Sequence, residues 1–418
     1  MKNFYIVWLG QLISNIGSGL TAFALGIYVF KLTGSAEHYS LILLAAFLPA
    51  LLLKPIGGTL SDRMNRRYLM MIGDLGSALG LVYIIAMLAT HNQSLWPIYI
   101  GTIISSCFQA FQNPAYKASV TDLVHADFYT RASGMMQLVE ISKFLIPPII
   151  AGFLLKIMDV KQVLIIDVLS FVFAAITVYC IKPANPIAVK ETEKTHFLTD
   201  LKIGFEYLFK NKAIFWLLSI MSIVTFFIGL YQALLGPMIL SFSNSQALGI
   251  IQSISVSGML LGGILMSLYK KIPQKIPLLS KGLLLCGMFF ALMGASNNMI
   301  AITLFGFLAF LFLPLANTSL DFLIRSNVDN TIQGRIWSIV SLVSQLGMAI
   351  AFGIAGYLAD AFNPLLQNNG PLSSTVGYLI GAGKGRGIGL LFIISGIMII
   401  MIAILINRLT ILKNLDKK

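Results

Sequence analysis

The chain has 418 residues, 57% of them hydrophobic and only 11% charged, with a mean hydropathy of +0.86 and a formal net charge of +13. A soluble domain carries roughly twice that charge fraction, and a membrane β-barrel would show alternating segments of about ten residues in place of long apolar runs. The basic residues are dispersed over short segments between apolar runs, which excludes a nucleic-acid surface and leaves a polytopic α-helical membrane protein.

The first apolar stretch runs from Phe4 to Phe30. It is too long for a signal-peptide core and lacks a small-residue cleavage site, so it is read as a retained first span. Eleven more runs at or near the roughly 20 residues needed to cross a bilayer follow it. The twelve predicted spans are 4–30, 38–61, 68–90, 95–117, 132–156, 162–182, 213–241, 246–269, 276–296, 299–325, 335–360 and 387–408. Most gaps between them are short, which makes consecutive helices antiparallel neighbours.

Between the second and third spans lies Gly57-Gly58-Thr59-Leu60-Ser61-Asp62-Arg63-Met64-Asn65-Arg66-Arg67. One acid and three arginines fall within six residues of a chain that is otherwise poor in charge. Such a turn holds two helices antiparallel, and its arginines fix the side that faces the cytosol. Cys107, Cys180 and Cys286 lie in apolar segments without metal-ligand spacing and read as packing residues.

Charges inside spans are costly and are functional candidates by default. Glu140 is the strongest: it falls about nine residues into span 5, roughly 14 Å deep at 1.5 Å per residue. It is expected to carry a proton, or alternatively to form a structural pair with Lys143, three residues on along the same face. Asp321 in span 10 is the second proton-coupling candidate, with a local ion pair to Arg325 as the alternative. Asp74 and Asp167 lie within about two turns of a span's end, and Lys54 can snorkel to the interface.

Residues 183–212 form the widest central gap and carry Lys190, Glu191, Glu193, Lys194, Lys202, Lys210 and Lys212 among their charges. Leu198, Leu201, Phe205 and Leu208 recur at helical spacing, which predicts an amphipathic linker helix on the membrane surface. The linker separates an N-terminal six-span bundle (1–182) from a C-terminal one (213–418). Near the end, residues 361–386 form a Gly-rich extracellular insertion between spans 11 and 12. Gly381-Ala382-Gly383-Lys384-Gly385-Arg386-Gly387 there lacks the spacing and the preceding strand of a phosphate loop. His38, His91, His125 and His196 are scattered over loops on both faces, so no enzyme site is legible.

With the N-terminus inside, 22 of the 29 lysines and arginines fall on the cytosolic side and five on the other. Both termini are therefore expected in the cytoplasm of a plasma-membrane protein. The halves also echo each other. Ala151-Gly152-Phe153-Leu154 recurs as Ala355-Gly356-Tyr357-Leu358, Arg131 matches Arg335, and Asn113 matches Asn317. Gly57-Gly58-Thr59-Leu60 recurs as Gly262-Gly263-Ile264-Leu265, with Ser267 in place of Asp62 and Lys270 and Lys271 supplying positive charge. A duplicated six-helix unit accounts for the repetition.

Gly58, Asp62, Arg63, Asn65, Arg66 and Arg67 resemble the signature loop of the major facilitator superfamily, Gly-x-x-x-Asp-Arg-x-Gly-Arg-Arg. Asn65 replaces the second glycine. Asparagine is the next residue most tolerant of a left-handed backbone, so the turn is expected to persist. Trp8-Leu9-Gly10-Gln11, Lys31-Leu32-Thr33-Gly34-Ser35, Asn113-Pro114-Ala115, Ile166-Asp167-Val168-Leu169 and Gly334-Arg335-Ile336 are similar to the macrolide-efflux branch, which also includes siderophore exporters. The resemblance implies a twelve-helix fold of two pseudo-symmetric bundles, and an Asp62-centred latch on the cytosolic side; a purely topological anchor is the alternative.

The resemblance also implies a cavity lined by spans 1, 4, 7 and 10. Those spans carry Gln11, Asn15, Gln109, Gln112, Asn113, Tyr231, Gln232 and Asn317, with Phe226 and Phe227 nearby. Amides and aromatics without an arginine suit a bulky amphipathic solute better than a small anion, though amides also join helices in membrane bundles. The expected function is export of a macrolide-like compound by proton antiport with alternating access, by a monomer needing no cofactor or metal. The alternatives are export of an endogenous siderophore or lipid, and a membrane receptor or scaffold without flux.

Overall fold

The computed structural model describes all residues except 91–93, 182–205, 207–210, 269–273, 329–332, 368–369, 410–411 and 413–418. The linker-helix expectation at 197–209 lies, but for Glu206, outside the described residues, as do Lys270 and Lys271. The chain divides into two compact units.

The first unit contains α1 (Lys2–Thr33), α2 (Ala36–Arg63), α3 (Arg66–Ala89), α4 (Trp96–Leu123), α5 (Tyr129–Leu145), α6 (Pro147–Ile157) and α7 (Val160–Tyr179). The ends follow local chemistry. Gly34 stops α1 in the left-handed conformation (φ 68°), and its N–H reaches the Phe30 carbonyl at 2.7 Å. Span 5 is one apolar run in sequence but two helices in the fold. Pro147 and Pro148 lack the N–H donors that would carry α5 onward, and the chain breaks at Ile146.

The second unit contains α8 (Lys212–Leu240), α9 (Ser245–Leu268), α10 (Lys275–Ala295), α11 (Met299–Asn327), α12 (Gln333–Phe362), α13 (Val376–Ile380) and α14 (Arg386–Arg408). Asn244–Ile250, which include the start of α9, group with the first unit, and Ser35–Glu37, which include the start of α2, with the second. Counting α5 and α6 as one span, and leaving aside the five-residue α13, the twelve predicted spans each find a helix within three residues of the expected bounds, except that α4 runs six residues past its expected end. Eleven of them are long and apolar enough to cross a membrane. The remaining one, α4, has the length but is diluted by Thr102, Ser105, Ser106, Gln109, Gln112 and Asn113.

Close approach of backbones holds each unit together, as expected where lipid removes the hydrophobic drive between helices. The repeated glycine pair shows it in both. A Cβ on Gly57 would overlap the Ala110 carbonyl oxygen of α4, and one on Gly262 would overlap the Leu311 carbonyl oxygen of α11. Their neighbours Gly58 and Gly263 both face open space. The insertion between α12 and α14 is folded over its described residues. It carries a one-turn helix at Pro364–Leu366 and the short α13, with Leu366 fully buried and the Gly383 N–H bonded to the Leu366 carbonyl at 2.8 Å.

Candidate functional site

The charged loop between α2 and α3 is built as a helix start, which corrects the expectation for Asn65. Its backbone is extended (φ −63°, ψ 114°), not left-handed, and its side-chain oxygen accepts the Arg67 N–H at 3.0 Å. Asparagine stands here as an N-cap, a role that glycine fills less well. Arg66 is committed to the end of α4: Nη1 donates to Asp122 Oδ1 (2.9 Å), Thr121 Oγ1 (2.9 Å) and the Ala118 carbonyl (2.8 Å). Arg67 is committed to the end of α7, through the Val178 carbonyl at 3.0 Å, the Tyr179 carbonyl, and the face of the Tyr179 ring at 5.3 Å. Gly58, Asp62 and Arg63 do not share in these contacts. Asp62 and Arg63 are exposed, and among the described residues Asp62 has no hydrogen-bond or ion-pair partner.

Deeper in the first unit, α1, α3 and α4 share a chain of side-chain hydrogen bonds. Gln112 Nε2 donates to Gln11 Oε1, and Gln11 Nε2 donates to Asp74 Oδ2 at 3.0 Å. Gln11 and Asp74 are each 1% exposed. Gln11 is therefore not a free cavity-lining amide: both ends of its amide are used, because a carboxyl buried in an apolar bundle must find a donor. Asn15, one turn on, is half-buried and donates to the Gln11 carbonyl at 2.8 Å. Asn113 is exposed, and Gln109 is half-buried beside a cavity.

Glu140 has an ion-pair partner, but it is Lys117 of α4 at 2.5 Å, with both side chains about half exposed. The fourth apolar run ends at Lys117. The helix continues six residues beyond it, which places Lys117 opposite α5. Lys54 of α2 is also within electrostatic range of Lys117 and Glu140. Lys143, the structural partner expected for Glu140, instead borders the cavity together with Asp167. Asp167 is 1% exposed and accepts from Ser170 Oγ at 3.1 Å. Gly17 of α1 lies so close that a Cβ there would sit 2.6 Å from Asp167 Oδ1. Sequence position marked Asp74 and Asp167 as intramembrane acids, but depth alone did not reveal which neighbours they share.

In the second unit, Tyr231 departs from the expected cavity role. It is 1% exposed and packs among Phe310, Phe290 and Phe392, with ring centroids 4.9, 5.9 and 6.3 Å away. Aromatic packing, edge-to-face against Phe310, explains its burial. Gln232 and Asn317 are half-buried, while Asp321 and Arg325 are both exposed one turn apart on α11.

Several comparisons bear on this arrangement. A family model described as Major Facilitator Superfamily matches residues 7–352. Macrolide efflux protein A of Streptococcus pyogenes is 26% identical over 99% of this chain and 98% of its own. The uncharacterized MFS-type transporter YfiS of Bacillus subtilis is 25% identical over 86% of this chain and 87% of its own. Among solved structures, a bacterial homologue of the human lysosomal transporter Spinster, inward-facing and unoccupied, aligns with a TM-score of 0.73 at 13% identity over 97% of this chain and 96% of that one. The nucleoside transporter NupG aligns with a TM-score of 0.70 at 14% identity over 98% and 100%. These structures share the fold. With a twelve-span helical chain, the signature loop between α2 and α3 and a family match over most of its length, the protein belongs to the major facilitator superfamily and is a multi-pass membrane transporter similar to macrolide-efflux proteins.

Proposed function

We propose that the protein exports a bulky amphipathic compound of the macrolide class from the cell in exchange for protons. It works as a monomer by alternating access, with both termini in the cytoplasm. The observation that carries the reading is the end-to-end likeness to macrolide efflux protein A. Gln109, Asn113, Gln232 and Asn317 offer uncharged amides on spans 4, 7 and 10, which suits a largely uncharged solute. Proton coupling requires an acid inside the bundles, and Glu140, Asp321, Asp74 and Asp167 supply four.

The test is transport itself. Expression in a macrolide-sensitive host is expected to raise the inhibitory concentration of erythromycin, and reconstituted protein is expected to accumulate it against a gradient when a pH difference is imposed. Transport that ignores the pH difference would remove the antiport. No macrolide transport, with a secreted lipid or siderophore instead, would change the substrate class.

Asp62 is proposed as the latch on the cytosolic side. Arg66 and Arg67 are already engaged within the first unit, and Asp62 is the exposed acid of the motif. Asp62→Asn is expected to slow transport by about tenfold or more while erythromycin binding persists. An unchanged transport rate would reduce the motif to a topological anchor.

A further inference from the structure

The first unit holds a cavity of about 60 Å³. Thr21 of α1, Thr102 and Gln109 of α4, Lys143 of α5 and Asp167 of α7 line it. A water needs about 10–15 Å³ of such space and two to four polar partners, so the cavity is large and polar enough to hold several. The buried hydroxyl of Thr102 has no partner among the described residues.

Lys143 sits in this cavity within electrostatic range of two acids, Asp167 and Glu140, and forms a direct ion pair within 4 Å with neither. A structural pair would have closed the gap. Here the ammonium borders the cavity, within electrostatic range of both carboxylates.

We propose that Asp167 is the carboxylate that takes up and returns the exchanged proton, with Lys143 as a counter-charge shared between Asp167 and Glu140; this rests on the proton-antiport reading. The other acids are less free. Asp74 is closed off by the Gln112–Gln11 amide chain, and Glu140 is already held by Lys117. In the step, a hydronium proton arriving from bulk through the cavity adds to the Asp167 carboxylate, makes a neutral acid and leaves neutral water behind. Lys143 keeps its own proton and turns towards Glu140. Release reverses both movements, so the cavity gains and loses one positive charge per cycle.

The groups facing Asp167 are few. From α1 comes the Thr21 hydroxyl, since the α1 lysines, Lys2 and Lys31, lie at its two ends. From α5 come Lys143 and, one turn away, Glu140. From α3 the acid is Asp74, held by Gln11, and from α6 the cation is Lys156 at the far end of that helix. Ser170 on α7 itself donates one hydrogen to the Asp167 carbonyl (2.7 Å) and carboxylate (3.1 Å).

Infrared difference titration of the purified full chain tests this without a substrate. Between about pH 5 and pH 9, a protonated-carboxyl band is expected to appear and vanish in the wild type, to persist in Asp74→Asn and Glu140→Gln, and to be lost in Asp167→Asn. A band that survives in Asp167→Asn overturns the proposal. If Asp167→Asn does not fold, Lys143→Gln serves: its band midpoint must move, and an unmoved midpoint overturns the proposal equally. In proteoliposomes with erythromycin as the probe, Asp167→Asn is expected to reduce pH-driven accumulation by about tenfold or more. Full pH-driven accumulation by Asp167→Asn sinks the proposal, whereas wild type that transports without regard to pH sinks the antiport reading and leaves the infrared result to judge Asp167.

Discussion

Replacing Gly57 with leucine is expected to destabilise the transporter by about 3 kcal/mol or more, while Gly58→Ala, one residue away, leaves it as stable as the wild type or slightly more so. The two glycines look equivalent in sequence, and the signature loop makes Gly58 the more notable. The fold separates them. At Gly57 a Cβ would overlap the Ala110 carbonyl, a backbone atom that cannot rotate away, so α2 and α4 would have to part. At Gly58 nothing lies within 4 Å. Alanine there gains helix propensity of about 1 kcal/mol over glycine at no steric cost to this conformation.

The second unit supplies an internal control. Gly262→Leu is expected to match Gly57→Leu, because its Cβ would meet the Leu311 carbonyl, and Gly263→Ala is expected to match Gly58→Ala. Thermal unfolding in detergent, read by tryptophan fluorescence, measures all four. Equal loss at both glycines of either pair would remove the packing argument. Gly58→Ala transport is a separate measurement: a stable variant that moves substrate slowly would place the glycine's role in another conformation.

The same contrast shows what the chain discloses before it is folded. Span number and bounds are legible because hydrocarbon thickness sets the length of an apolar run and leaves little freedom. The duplicated glycine pair is legible as a repeat, yet which member packs depends on helix rotation, which apolar surroundings on all sides do not encode. The Asn65 turn illustrates a local ambiguity, since the residue that best tolerates a left-handed backbone is also a strong N-cap. The span-5 break was implicit in Pro147-Pro148 but hidden by continuous hydrophobicity.

Site residues were harder because polarity inside a span has two meanings. Gln11 and Tyr231 carry groups that suit a substrate, and both turn inward in their own unit, Gln11 to hydrogen-bond Asp74 and Tyr231 to pack its ring against Phe310. Glu140 was correctly marked as an acid in a span, but its partner lies on another helix 23 positions away in sequence, beyond the reach of any i,i+3 or i,i+4 rule. The cavity gathers Thr21, Thr102, Lys143 and Asp167 from four helices, and only the packing of those helices brings them together.

Arg386→Met is expected to cost about 2–4 kcal/mol of stability, although the residue lies in a Gly-rich stretch whose sequence suggests a loop. Arg386 is 6% exposed and opens α14 immediately after Gly385, which holds the left-handed conformation (φ 79°). Its guanidinium donates to the carbonyls of Ser296 (2.8 Å), Gly294 (3.0 Å) and Ala295 (3.4 Å) at the end of α10. Those are carbonyls that a helix end leaves without partners, and a cation placed there also meets the negative end of the helix dipole. One planar fork thus fastens the start of α14 to the end of α10. Lysine offers a single point of charge in place of the fork, so Arg386→Lys is expected to recover only part of the loss. Lys384, two residues earlier, has an exposed side chain, and Lys384→Ala is expected to stay within about 0.5 kcal/mol of wild type. Denaturation in mild detergent compares the three variants. Wild-type stability in Arg386→Met would show that the carbonyls at the end of α10 find other donors, and the glycines around Arg386 would then need a different explanation.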